Sequence, residues 1–226
     1  EKQKRKKQRQ IIMGAVGVLV ISIAVLVVRS GFTNVKDTVL RNPSKLLLEK
    51  AHWVKSEYGA PGITLSTPVV LERQTIKYPE EIKDSVQLVS FAYAGKDTPV
   101  DVFVTSSKYA SKTKQNENKK EVPIDVLKFA ELVLDRFEKE GAKNIISRNE
   151  QFITPNGQEG IKTFGTADFV TNNVLSKGAY IVLGFSTPNL LQQVVLTWKE
   201  DDVYADQIME RILGSIELIT LTEEQK

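Results

Sequence analysis

The residue types that most often carry catalytic or metal chemistry are scarce in this chain of 226 residues. There is one histidine, His52, and no cysteine, which excludes disulfides, thiolate metal sites and cysteine nucleophiles. Metal sites usually gather two or more ligands from His, Cys, Asp and Glu, so the composition argues against zinc and redox metals. A lone histidine with no Ser or Cys motif around it is typical of a structural residue.

Acidic residues occur in pairs, and each pair has a simpler explanation than catalysis. Asp201–Asp202 precede a predicted helix, where acids are stabilised by the helix dipole, and no calcium-binding loop surrounds them. The pairs Glu80–Glu81 and Glu138 with Glu140 lie near lysines, which is typical of solvated surface. Nothing in the sequence brings these acids together as an acid/base pair.

The glycines do not form a phosphate-binding loop. Gly157, Gly160 and Gly165 lie in and after a predicted strand turn, whereas such a loop opens a helix. The motifs GxxxxGK[ST], GxGxxG, GxSxG and HExxH are absent from the sequence. The sequence therefore predicts a non-enzymatic protein, with no catalytic, cofactor-binding or metal-binding residue.

Positive charge is concentrated at the start of the chain. Residues 1–10 hold six Lys or Arg against Glu1, and subtracting this +5 from the overall +3 leaves −2 for the other 216 residues. A nucleic-acid-binding domain needs a basic surface on its folded part, so this class is excluded. Contents of 41% hydrophobic and 26% charged residues also exclude a disordered chain and a polytopic membrane protein.

Residues 11–28 form an apolar run of eighteen residues without charge or proline. As a helix this run spans about 27 Å, most of a hydrocarbon core of roughly 30 Å, which predicts one membrane-spanning helix. The alternative is a cleaved signal peptide, but the run is longer than a typical h-region and no small-x-small cleavage site follows it. The denser basic flank lies before the run. We therefore expect a cytoplasmic tip over 1–10 and a C-terminal part outside the inner membrane.

After a stalk over 29–43, the pattern predicts one domain over 44–221 and a tail over 222–226. Amphipathic helices are predicted at 124–140 and 203–218, each with one apolar stripe. The predicted strands are 53–58, 63–71, 86–93, 100–105, 144–153, 158–170, 179–185 and 191–198. Ser44 is predicted to cap a short helix over 45–51, and 106–121 to form a solvated surface loop.

Strands grouped as hairpins between two distant helices predict an α+β domain, with a mostly antiparallel sheet flanked by helices as an α/β/α sandwich. The segments AYIVLGF (179–185) and LLQQVVLTW (190–198) do not alternate cleanly, as expected for central strands covered on both faces. Ten aromatic residues on the predicted strands are expected in the core first, and in a ligand groove second: Trp53, Tyr58, Phe91, Tyr93, Phe103, Phe164, Phe169, Tyr180, Phe185 and Trp198.

The element order, with YGAPGITLSTP (58–68) and GAYIVLGFSTP (178–188), resembles the PsbP-like fold over residues 45–220. That group includes the extrinsic subunit of photosystem II, Ran-binding Mog-type proteins and a bacterial envelope branch. Its members are mostly non-catalytic subunits that dock onto larger assemblies, and no set of functional residues can be carried over from them. The resemblance implies an anchored subunit that docks onto a membrane protein complex. The alternative is a ligand-binding or sensing module with a pocket between sheet and helix.

Overall fold

The computed structural model of the protein describes residues 42–74, 86–94, 98–109, 123–171 and 174–219. The predicted membrane span over 11–28 lies outside these residues, as do the basic tip, nearly all of the stalk and the tail. Within the described stretches, no helix has the length and apolar character needed to cross a membrane.

The described residues form three helices and ten strands. The helices are α1 (Pro43–Lys50), α2 (Val126–Lys139) and α3 (Val203–Leu213). The strands are β1 (Val54–Gly59), β2 (Gly62–Thr67), β3 (Glu72–Gln74), β4 (Val86–Ala94), β5 (Val100–Tyr109), β6 (Lys143–Ile153), β7 (Glu159–Thr171), β8 (Val174–Thr187), β9 (Leu190–Lys199) and β10 (Glu217–Leu218). The predicted α+β class is therefore confirmed.

The strands form two sheets rather than one. Seven strands follow the order β3-β4-β5-β9-β8-β7-β6, and three follow the order β1-β2-β10. All of these pairings are antiparallel, as predicted. The expectation of a single sheet is wrong because the hairpin of β1 and β2 lies over a face of the larger sheet, where Tyr58, Ile63 and Leu65 are buried.

The central strands are buried on both faces. Along β8, Tyr180 and Val182 contribute to one core, and Ile181 and Leu183 contribute to the other. Helix α2 covers the first core, and the small sheet covers the second together with α1 and α3. This double burial explains why the central segments lack alternation.

The apolar stripe of α3 is fully buried. Ile208 and Ile212 on the helix, and Ile216 just after it, each have 0% of their surface exposed. The stripe is thus part of the second core, and it is not available as a docking surface. The helix ends at Leu213, five residues before its predicted end, because the backbone turns at Gly214 into strand β10, which pairs with β2.

Among the other boundaries that differ from the predictions, three have a polar cause. Asn42 rather than Ser44 caps α1, accepting a hydrogen bond from the Lys45 amide at 3.1 Å. The strand predicted over 63–71 stops at Thr67, because the following Pro68 has no amide hydrogen to donate.

The predicted loop over 106–121 is wrong at its start, because β5 continues to Tyr109. The polar residues of this stretch, Ser106 among them, led to the prediction of a surface loop. The Ser106 side chain is instead buried, and its hydroxyl donates to the Pro61 carbonyl oxygen at 2.9 Å. The rest of that predicted loop lies outside the described residues.

Truncation of the α3 stripe should destabilise the fold. We expect Ile212→Ala to lower the free energy of unfolding by roughly 2–5 kcal/mol, because it removes apolar contacts and leaves a cavity. The matched control is Val203→Ala on the same helix, where the side chain is 63% exposed and the change should be within about 0.5 kcal/mol. Denaturant titration of both variants measures the difference, and equal midpoints would contradict the role of α3.

Candidate functional site

Strand β6 forms an open edge of the large sheet. It pairs with β7 and, among the described residues, with no other strand. Nine of its eleven residues are exposed, so both of its faces are accessible as well as its outer edge. At the opposite edge of the sheet, β3 has only three residues. A long exposed edge offers unpaired backbone donors and acceptors to which another strand can be added.

The course of β6 is fixed by a contact that crosses β7. Tyr180 lies opposite Gly165, and its hydroxyl donates to the carbonyl oxygen of Ile146 at 2.9 Å. A Cβ atom at Gly165 would overlap this carbonyl, so β6 can approach only because the residue is glycine. Burial raises the pKa of Tyr180 to about 12, against a smaller lowering by a hydrogen bond with Ser147. The hydroxyl therefore stays protonated, and can donate, at pH values at which an exposed tyrosine already ionises.

The side chains of β6 carry opposite charges two positions apart, which places them on one face. Glu150 forms an ion pair with Lys162 of β7, whose ammonium group lies 4.7 Å from the ring centroid of Phe164. Arg148 has no ion-pair partner within the described ranges. Among the described residues, its guanidinium group is thus a positive charge without an ionic partner on an exposed strand.

A cleft of about 350 Å³ lies between the turn after β1 and strands β3 and β4. Its wall is mainly apolar, with Tyr58 and Phe91 among the lining residues and Ser90 as a polar one. Arg73 stands at its rim, where its guanidinium group donates to the Glu57 carbonyl oxygen at 2.8 Å and lies 5.0 Å from the Tyr58 ring centroid. The volume is in the range of small-molecule sites, but the cleft lies between strands rather than between sheet and helix.

Several buried polar side chains hold strands of the domain together. Gln192 and Ser106, both buried, donate to the Pro61 carbonyl oxygen at 2.9 Å each and so tie the β1–β2 hairpin to the large sheet. Asp101, also buried, accepts hydrogen bonds from Tyr93 at 3.3 Å and Thr197 at 3.1 Å. Buried polar groups that are satisfied in this way hold a register and need no catalytic explanation.

The histidine and the aspartates singled out in the sequence lie apart from β6 and from the cleft. His52 is exposed just before β1. Asp202 caps α3 by accepting from the amides of Tyr204 and Ala205, as its helix-start position predicts. Asp201 is exposed and pairs with Lys199. In the described part of the chain, no three His, Cys, Asp or Glu residues are grouped to hold a metal ion.

The other candidates also have structural surroundings. Glu140 forms an ion pair with Arg136 one turn earlier on α2. Gly157 is in the turn between β6 and β7, Gly160 packs against Phe185, and Gly165 has the role described above. The pair Glu80–Glu81 lies outside the described residues.

No protein-family model matches the chain, and no curated protein matches its sequence. The function must therefore be argued from β6 and the cleft. The sequence holds one signal for β6, because KNIISRNEQFI (143–153) is polar on both faces and lacks the alternation of a half-buried strand. Hydrophobic periodicity identifies a strand but not the strands beside it in the sheet. The position of β6 at the edge is therefore not predictable from periodicity.

The raised pKa of Tyr180 predicts a stability that depends on pH. In the unfolded chain a tyrosine ionises near pH 10, whereas Tyr180 in the folded domain stays neutral up to about pH 12. The contribution of this group is therefore complete below pH 10 and is lost as the pH rises from 10 to 12. We expect the free energy of unfolding to fall more steeply over this interval in the wild type than in Tyr180→Phe. Denaturant titrations at several pH values test this, and parallel pH profiles would contradict it.

Proposed function

We propose that the protein is a non-enzymatic, single-pass subunit of a bacterial inner membrane, whose extracytoplasmic, PsbP-like sandwich docks onto a larger membrane protein assembly. Residues 11–28 would hold it in the bilayer, with the basic tip in the cytoplasm. The observation that carries the proposal is the open edge of β6, with nine of eleven residues exposed.

Strand addition suits β6 for three reasons. Its backbone edge supplies hydrogen bonds for affinity, and its exposed side chains supply specificity. Two of these side chains, Ile146 and Ile153, are large, apolar and 60% exposed. The strand is also already ordered by its pairing with β7 and by the Tyr180 hydroxyl, so binding would require little further loss of conformational entropy.

A ligand-binding or sensing module is the second candidate, and the cleft near Arg73 favours it. The apolar wall and the guanidinium group at the rim suit a small, mainly apolar molecule with an acidic group. Native mass spectrometry of the purified wild type tests this role, because a bound small molecule would appear as added mass. The added mass should be lost in Ser90→Trp, whose larger side chain fills the cleft.

The docking role of β6 predicts the effect of a lysine at its edge. We expect Ile146→Lys to abolish co-purification of a membrane protein complex, because a charge beside an added strand must be desolvated. Leu175→Lys on β8, where the leucine is 52% exposed, is the matched control and should retain the complex. The tagged full chain is purified in mild detergent, its melting is checked, and its companions are identified by mass spectrometry. A complex retained by Ile146→Lys would count against docking at β6, and a wild type without companions would count against the subunit role.

The basic flank predicts the topology. Protease added outside cells whose outer barrier has been opened should digest the chain beyond about residue 30, because the denser positive flank stays in the cytoplasm. A tag at each end of the chain, followed by immunoblotting, measures which end is lost. Protection of the C-terminal tag would reverse the proposed orientation.

A further inference from the structure

We propose that the strand added to β6 is β6 of a second copy of this chain, so that the subunit enters its assembly as a symmetric pair. The inference rests on the proposed role of β6 in strand addition and makes a second copy the occupant of that edge, so that the larger assembly binds the pair. It follows from the order of charges along the strand, which is complementary to itself.

A two-fold axis perpendicular to the sheet joins two copies of β6 as antiparallel neighbours and keeps each side chain on its own face. With the axis at Asn149, Arg148 of each copy lies directly opposite Glu150 of the other. Two cross-strand ion pairs then form, and opposite charges in this position stabilise an antiparallel pair. Arg148, which has no ion-pair partner among the described residues, gains one.

The neighbouring positions agree with the same axis. Ile146 comes opposite Phe152 on the same face, and Ser147 comes opposite Gln151 on the other. Ile146 is 60% exposed in the single copy, and its apolar surface would be covered by this pairing. The ladder with β7 is regular from Ile146 onward, after the β-bulge that precedes it, so the required stretch has an unbroken register and is exposed at every position except Phe152.

Neighbouring registers are disfavoured by charge. With the axis at Arg148, the two arginines oppose each other, and with the axis at Glu150, the two glutamates do. Like charges directly opposite each other destabilise a strand pair. In the register centred at Asn149, by contrast, Glu150 lies between two positive charges. One is Lys162, its present ion-pair partner on β7, and the other is Arg148 of the second copy.

A single cysteine at the axis tests the pairing directly, because the chain has no other cysteine. Asn149→Cys in the full chain, in detergent-solubilised membranes, should form a disulfide-linked dimer on mild oxidation. Residues opposite each other in antiparallel strands have Cα atoms about 4.5–5.5 Å apart, within the range of a disulfide. Leu175→Cys, exposed on β8, is the control and should stay monomeric. No dimer with Asn149→Cys, or equal dimer with both variants, would overturn the proposal.

Exchange of the two charges tests the register. Arg148→Glu and Glu150→Arg, each carrying Asn149→Cys, should give about tenfold less dimer than the parent, since each makes both cross-strand pairs repulsive. A mixture of these two proteins should recover the dimer, because one strand then carries two glutamates opposite two arginines. Undiminished single variants, or a mixture no better than either alone, would overturn the register. Melting curves confirm that each variant is folded.

These outcomes separate the pairing from the docking role. If Asn149→Cys gives no dimer while Ile146→Lys still loses the membrane complex, the pairing is wrong and docking at β6 stands. If the charge variants behave as expected while the wild type brings no other protein with it, the pairing stands and the subunit role is wrong.

Discussion

Strands β8 and β9 bury their side chains on both faces of the seven-stranded sheet, and each face therefore needs its own cover. Helix α2 supplies one cover. The hairpin of β1 and β2 supplies the other together with α3, which is linked to β9 by the hydrogen bond from the Trp198 indole to Asp206 at 2.6 Å. Because apolar burial is the main favourable term in folding, the position of every other element follows from these two covers.

The same constraint leaves one strand outside. Helix α2 lies mainly over β7 and β8 and reaches β6 only slightly, so the seventh strand extends beyond its cover. The sequence of β6 agrees with this position, since only Ile145 and Phe152 along it are partly buried. Its stability comes from the β7 ladder and from the Tyr180 hydroxyl rather than from a core of its own. The exposed edge is thus a consequence of how the sheet is covered.

Much of this arrangement is predictable from local pattern, and the exceptions share one cause. The apolar stripes predict α2 and α3, and unbroken apolar runs predict that β8 and β9 are central. The extension of β5 is not predictable, because the hydroxyl of Ser106 is satisfied by a carbonyl 45 residues away. The end of α3 is missed because Ile216 continues the helical spacing although it lies after the helix, where the chain leaves to pair β10 with the distant strand β2. The edge position of β6 depends on which strands lie beside it in the sheet. A short segment of sequence carries no information on those neighbours.

Helix α1 joins the two ends of the described chain. The Ser44 hydroxyl donates to Asp202, the residue that caps α3, at 2.5 Å, and the Lys45 ammonium group lies 5.6 Å from the Tyr204 ring centroid. Tension on the chain before Asn42 would therefore act first on α1 and then on α3, in which Ile208 and Ile212 are anchored in the second core. Such a load would be resisted first by this packed helix pair, before it reached the edge strand β1 that follows α1. If residues 11–28 anchor the chain as proposed, such a load would therefore reach α1 and α3 before strand β6.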